Sequence, residues 1–322
     1  MAEQRPPATL GSTGEHAWLK RLPEQLPTMA GVEVGVGDDA AVVLDPDGRT
    51  VVCTDVLVED KHFRRDWSEA ADVGHRAAAA NLADIAAMGA RPTALLVGLA
   101  APADLPIAWV EGLLAGIRDE AALVGASVVG GDLASSDRLV IAVTALGDLG
   151  GRAPVTRAGA EPGDVVAVAG RLGWAQAGLA VLRRGFRSPR VLVAAHRRPE
   201  VPYAAGPIAA LAGATSMIDV SDGLLADAGH LAEASGVQID LDPAALTPDE
   251  PLRDVSSALG TDPMDWVLGG GDDHALLATF PVGVDLPLEF RPIGRVVFGE
   301  AGVTVGGLGS GDRPTGFDHF GS

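Results

Sequence analysis

The stretch SMIDVSDGLLADAGHLAEASGVQIDL, residues 216–241, decides the fold class. Ser216 to Val220 is a short apolar run carrying one acid, the length of a buried strand. Ser221-Asp222-Gly223 then opens a periodic segment through Leu224, Leu225, Ala228 and Leu231, so a helix starts there with Ser221 or Asp222 as its cap. Val237 to Leu241 reads as the next strand. Upstream, Asp164 to Ala169 and Trp174 to Arg184 repeat the strand-then-helix order. This is an α/β rhythm. The five glycines and two prolines of Gly147 to Gly163 divide it from an earlier half, which suggests two domains, 1–148 and 149–322. In that first half, Val32 to Leu44 reads as strand, tight loop and strand, and Val51 to Asp55 as a strand ending on an acid. An Ala-rich helix over 71–89, a strand Ala94 to Leu99 and a helix Leu105 to Val124 follow. The last strands are Ala126 to Val129 and Leu139 to Leu146. Strands also run in neighbouring pairs, so mixed sheets of α+β character fit as well as a doubly wound one.

The 322 residues carry 24 basic and 43 acidic side chains, a net charge of −19, with 47% hydrophobic and 21% charged residues. That composition builds a substantial core and argues against global disorder. The charge argues against any broad grip on nucleic acid or an anionic membrane. One cysteine, Cys53, excludes an intrachain disulfide and any multi-cysteine metal site. Met1 to Leu10 lacks the apolar core of a secretory signal, and the longest apolar run, near Thr93 to Ala103, is about half of the ~20 residues a membrane span needs. A cytoplasmic location is the expectation.

The informative feature is where the acids fall. Gly37-Asp38-Asp39, Thr54-Asp55, Gly130-Gly131-Asp132, Asp219 with Ser221-Asp222-Gly223, and Gly270-Gly271-Asp272-Asp273 each place an acid where an apolar run stops. Asp84 adds another inside the Ala-rich helix, where Asp is intrinsically poor. Taken singly, each Asp-Gly is as readily a turn or a helix cap. Taken together, carboxylates gathered on one rim of a sheet repel one another unless a hard cation lies between them. Oxygen-only ligands select Mg²⁺, Mn²⁺ or Ca²⁺ over zinc, and scattered acids suit Mg²⁺ with substrate phosphates. Gly130-Gly131 permits close backbone approach to a ligand, and the helix start at Ser221 offers a phosphate or metal site. No phosphate-binding Gly-x-x-x-x-Gly-Lys loop, Gly-x-Ser-x-Gly elbow or His-Glu-x-x-His helix occurs. His62 follows the Asp55 strand within one loop, and Cys53 has no flanking base to activate it.

In order, these motifs resemble the thiamine-monophosphate kinase family. The resemblance runs from about residue 30 to 320 and includes Gly35-Val36-Gly37-Asp38-Asp39, Thr54-Asp55-Val56-Leu57-Val58 with His62-Phe63, and Asn81-Leu82-Ala83-Asp84. It continues through Val129-Gly130-Gly131-Asp132, Thr156-Arg157-Ala158-Gly159, Asp219-Val220-Ser221-Asp222-Gly223-Leu224, Gly270-Gly271-Asp272-Asp273 and Gly316-Phe317-Asp318. It implies a two-domain α/β fold of the aminoimidazole-ribonucleotide-synthetase type, homodimeric through a β-barrel shared by the N-terminal domains. It also implies transfer of the γ-phosphate of ATP to thiamine monophosphate with several Mg²⁺ ions, giving thiamine diphosphate. Carried over by motif, Asp39, Cys53 (through its carbonyl), Thr54, Asp55, Asp84, Asp132, Asp219 and Asp222 would be metal ligands. Gly131, Asp132, Arg157 and Ser221 would contact ATP, and His62, Asp272 and Phe317 the thiamine monophosphate. Asp272 stands where the family commonly has Glu. The acceptor phosphate is already anionic at neutral pH, so no general base or covalent nucleophile is expected.

Overall fold

Alternation builds the first sheet. In Val51–Val58 (β3) the even-numbered side chains point to one face and the odd-numbered to the other, and the strand pairs antiparallel with Val140–Asp148 (β6). Arg91–Ala101 (β4) and Ser127–Ser135 (β5) pair in parallel, completing a four-stranded sheet in the order β3-β6-β4-β5. The computed structural model describes residues 8–13, 18, 21–26, 30–34, 41–309 and 316. Val32–Val34 (β1) and Val42–Val43 (β2) form a separate antiparallel pair. Asp39 and Phe317 lie outside the described residues.

Ala70–Ala87 (α1) is a helix because its residues are small and its few half-exposed positions, including Ala80 and Asp84, recur every four or five residues. Gly89 at φ +73° ends it, with Ala90 donating its N–H back to the Ile85 carbonyl. Ile107–Leu123 (α2) packs on α1 at backbone distance. A Cβ on Gly74 would lie 2.1 Å from the Leu113 carbonyl oxygen, and one on Gly116 would lie 2.1 Å from that of Ala71.

Two strands run further than the sequence suggests. β3 does not end on Asp55: Val56, Leu57 and Val58 continue the alternation against Ala142, Ile141 and Val140. Nor does the chain break at Gly130-Gly131-Asp132. β5 continues through it, absorbing Val129 as a bulge, with Asp132 opposite Gly98. Gly131 is small because its Cβ would sit 2.0 Å from the Val97 carbonyl oxygen, so the close approach there is to β4.

The described residues cluster into two compact units. One holds the residues up to Leu82 with Pro92–Asp148, the other Ala83–Arg91 with the residues from Leu149 onward. In the second, Val165–Ala169 (β7), Ser216–Val220 (β8), Gln238–Leu241 (β9), Ala275–Phe280 (β10), Phe290–Val297 (β11), Gly302–Val305 (β12) and Leu308–Gly309 (β13) form one sheet. Its order is β13-β12-β9-β11-β7-β10-β8. Only β12 with β9 is parallel among its described pairs, so the sheet is mixed. β8 and β10 are buried along their whole length. Trp174–Arg183 (α3) and Arg190–Arg197 (α4) pack together through Gly178, and Leu224–Ser235 (α5) lies against β8, β9 and β12. Gly270-Gly271-Asp272-Asp273 follows a helix, Pro263–Gly269 (α6), and not a strand. Asp262 caps that helix by accepting the Met264 N–H at 2.9 Å, which turns the apolar Trp266-Val267-Leu268 helical. No helix among the described residues is long and apolar enough to cross a membrane.

Candidate functional site

In the first unit the strand alternation sorts the candidate ligands. Cys53 and Asp55 face α1, where Asn81 is fully buried. Its side-chain oxygen accepts the Asp55 backbone N–H at 3.0 Å, its own amide donates to the Ala77 carbonyl, and its carbonyl accepts the Cys53 thiol at 3.3 Å. Asn81 thus locks the Asp55 backbone onto the helix that carries Asp84 three residues on. The Cys53 sulfur acts as a neutral donor there. Thr54 points the other way: its hydroxyl donates to the Val143 carbonyl and accepts from Thr144, both at 3.0 Å. The Cys53 thiol and the Thr54 hydroxyl thus serve opposite faces of β3. Asp132 is exposed on β5. His62 accepts the Val58 N–H on Nδ1 at 2.9 Å, which leaves the proton of the neutral ring on Nε2.

In the second unit, neither Ser221 nor Asp222 caps α5. Asp227, one turn inside the helix, reaches back and accepts the N–H groups of both Asp222 and Gly223 on one oxygen, each at 3.0 Å. Burial, then the Asp219 charge, pushes Asp227 up to about 7, against the lowering effect of those backbone donors. The capping function is therefore filled without Asp222. Asp219 is 4% exposed and receives a hydrogen bond from His274 Nδ1 at 3.0 Å. Asp272 donates its N–H to the Ser221 carbonyl at 2.8 Å, laying the Gly270–His274 segment along the end of β8. Arg157 is exposed, and its loop is pinned to the last turn of α5 by Ser235, which donates to the Arg157 carbonyl and accepts from Gly159 and Ala160.

Asp273 has a structural task. It accepts the Ala175 N–H at 2.8 Å and so caps α3, whose own N-cap residue, Gly173, has no side chain. Its second oxygen is buried with no hydrogen-bond partner among the described residues. Burial outweighs the backbone donors and pushes Asp273 up to about 7. Because the unfolded value is ~3.9, the folded state holds this proton more tightly, and its stabilising contribution is lost as pH rises from about 4 through 7. Asp273→Asn keeps the accepted bond and removes the titration. The stability of wild type relative to Asp273→Asn is therefore expected to fall between about pH 4 and 7 and to level off above that in thermal melts. Parallel Tm–pH curves would show that Asp273 ionises normally.

The donor chemistry fits a hard divalent cation. Asp55 and Asp132 in the first unit and Asp84, Asp219 and Asp222 in the second offer oxygen only. Among the described residues the buried Asp219 carboxylate has a single hydrogen-bond donor, His274, which leaves its other oxygen open to a cation.

The two mixed sheets belong to an α/β fold of the AIR synthase-related class. The family model "AIR synthase related protein, N-terminal domain" matches residues 37–149. The chain belongs, more narrowly, to the thiamine-monophosphate kinase family. It is 53% identical over 300 residues to the thiamine-monophosphate kinase of Mycobacterium tuberculosis, covering 93% of this chain and 90% of that one. It is 44% identical over 297 residues to the Corynebacterium glutamicum enzyme, covering 89% and 87%. Among solved structures, "AaThiL complexed with AMPPCP and TMP" superposes with a TM-score of 0.80 at 33% identity, covering 99% of this chain and 100% of that one.

Proposed function

We propose that the chain transfers the γ-phosphoryl group of ATP to the phosphate of thiamine monophosphate, forming thiamine diphosphate and ADP. A phosphate oxygen of the acceptor forms the new bond to the γ-phosphorus while the bond from that phosphorus to the β–γ bridging oxygen breaks. The acceptor's second pKa is ~6, so it needs no base to become a nucleophile. The observation that carries the reading is the buried Asp219 carboxylate, held by one donor among the described residues and set beside Asp222 at a helix start already capped by Asp227. Asp55, Asp84, Asp132, Asp219 and Asp222 would hold Mg²⁺, with Asp39 completing the set from the sequence. Cys53 and Thr54 have their side chains committed elsewhere. Bound Mg²⁺ would neutralise the two polyanions and favour in-line displacement. Gly131 and Ser221 supply backbone against the nucleotide and Arg157 an exposed guanidinium for its phosphates. The Nε2–H of His62 is a donor for the thiamine monophosphate, and Asp272 and Phe317 suit its cationic thiazolium.

In this reading residues 1–148 form the domain that dimerises and 149–322 the second domain. A homodimer accounts for the open face of the first sheet, where Val52 is 63%, Val56 49% and Leu96 38% exposed beside Ala142 and Thr144. The test is turnover: ADP and thiamine diphosphate should appear together with ATP, Mg²⁺ and thiamine monophosphate, and not with thiamine or an aminoimidazole precursor. ATP binding without thiamine diphosphate formation would mark a silent nucleotide-binding protein. Direct transfer also predicts that Cys53→Ser keeps most of the activity and that rapid quench finds no phosphorylated protein. A trapped phosphoenzyme would overturn direct transfer.

A further inference from the structure

Two side chains of the second unit meet in a way that neither capping nor packing requires. Asp219, on β8, and His274, just before β10, are 4% and 5% exposed, and Nδ1 of the histidine lies 3.0 Å from Oδ2 of the carboxylate. An ionised carboxylate only accepts, so His274 carries its proton on Nδ1 and donates. The position is conformationally demanding. His274 has φ +51° and Asp272 has φ +66°, the left-handed region that side chains other than glycine rarely adopt. Backbone bonds hold them there: the Asp272 N–H to the Ser221 carbonyl at 2.8 Å, and the His274 N–H to the Val220 carbonyl at 3.0 Å. Gly271 lets the segment lie this close, since its Cβ would come within 2.2 Å of the Ser221 oxygen. The backbone is bent to deliver one imidazole to one carboxylate oxygen.

Among the described residues, no other hydrogen bond reaches the Asp219 carboxylate. A lone donor on Oδ2 fixes the rotation of the group and leaves Oδ1 for another partner. We propose that His274 is a positioning residue, which holds Asp219 by Oδ2 so that Oδ1 is presented to a divalent cation. The inference rests on the reading of Asp219 as a metal ligand and adds what orients it. Hydrogen-bonded partners of ligating carboxylates characteristically set metal affinity in this way.

The experiment measures Mn²⁺ binding to the full-length protein without nucleotide, from the free-ion signal in electron paramagnetic resonance, with Tm recorded for each variant. His274→Asn keeps a donor near the Nδ1 position and tolerates the left-handed backbone. His274→Gly tolerates the backbone without a donor, and His274→Phe keeps a ring without one. One class of Mn²⁺ site should weaken about tenfold in the glycine and phenylalanine variants and stay within about threefold of wild type in the asparagine variant. Having two donorless variants covers the failure of either to fold. Asp219→Asn separates the two levels. If it binds Mn²⁺ like wild type, Asp219 is no ligand and the metal reading falls with this inference. If it loses the site while His274→Gly and His274→Phe keep it, or if His274→Asn loses as much as they do, only the positioning role is overturned.

Discussion

Replacing Asp55 by Asn is expected to lower kcat at least ~100-fold, the scale of removing a principal electrostatic stabiliser. The substitution is nearly isosteric, and the Asp55 backbone N–H remains bonded to the Asn81 side chain, so the strand has no reason to shift. What disappears is one negative charge facing α1, where a cation would sit. The measurement is steady-state turnover of thiamine monophosphate across a Mg²⁺ titration, with an unchanged Tm as the control for folding. The loss should persist at saturating Mg²⁺ if the charge acts in the transition state. Near-normal turnover would make Asp55 a structural acid.

Gly116→Ala should destabilise the first unit by about 1–3 kcal/mol, the usual cost of overpacking. This runs opposite to intrinsic preference, because Ala in a helix interior is favoured over Gly by about 1 kcal/mol. The new methyl would lie 2.1 Å from the Ala71 carbonyl oxygen, and backbone is there to be hit, not a flexible side-chain tip. Gly229→Ala is the matched comparison: it too lies inside a helix, with nothing within 4 Å of the added methyl, so it should stabilise by up to about 1 kcal/mol. Denaturant melts of the two variants should move in opposite directions. Equal shifts of the same sign would mean that α1 and α2 separate at little cost.

Much of the fold was legible because its elements obey single periods. The apolar run Ser216 to Val220 and the periodic Leu224 to Ser235 are found where the sequence places them, as is the Ala-rich helix ended by Gly89. Glycine misleads where it resembles a stop. Gly130-Gly131 looks like a break, yet a parallel strand passes through it because the bulge needs a residue with no side chain beside Val97. The apolar run Trp266-Val267-Leu268 is too short to show a period, and the Asp262 cap, a bond to the backbone two residues on, makes it helical. At the candidate site the charged residues announced themselves, whereas the residues that hold them did not. Asn81 and His274 act across 26 and 55 positions, and no local pattern marks a residue whose partner is that far along the chain. The signal for Asp227 was present: a second acid in the first turn of a helix is a cap candidate equal to Ser221 or Asp222.

The Cys53 thiol, half-buried and donating to the Asn81 carbonyl, is the only sulfhydryl in the chain. Protein chemists usually mutate away competing cysteines before attaching a probe; here nature has left a single handle, two residues from a helix-facing carboxylate. A fluorophore, nitroxide or ¹⁹F tag placed there would give one homogeneous signal from β3 without engineering, and time-resolved observation of ligand arrival becomes practical on the wild-type polypeptide.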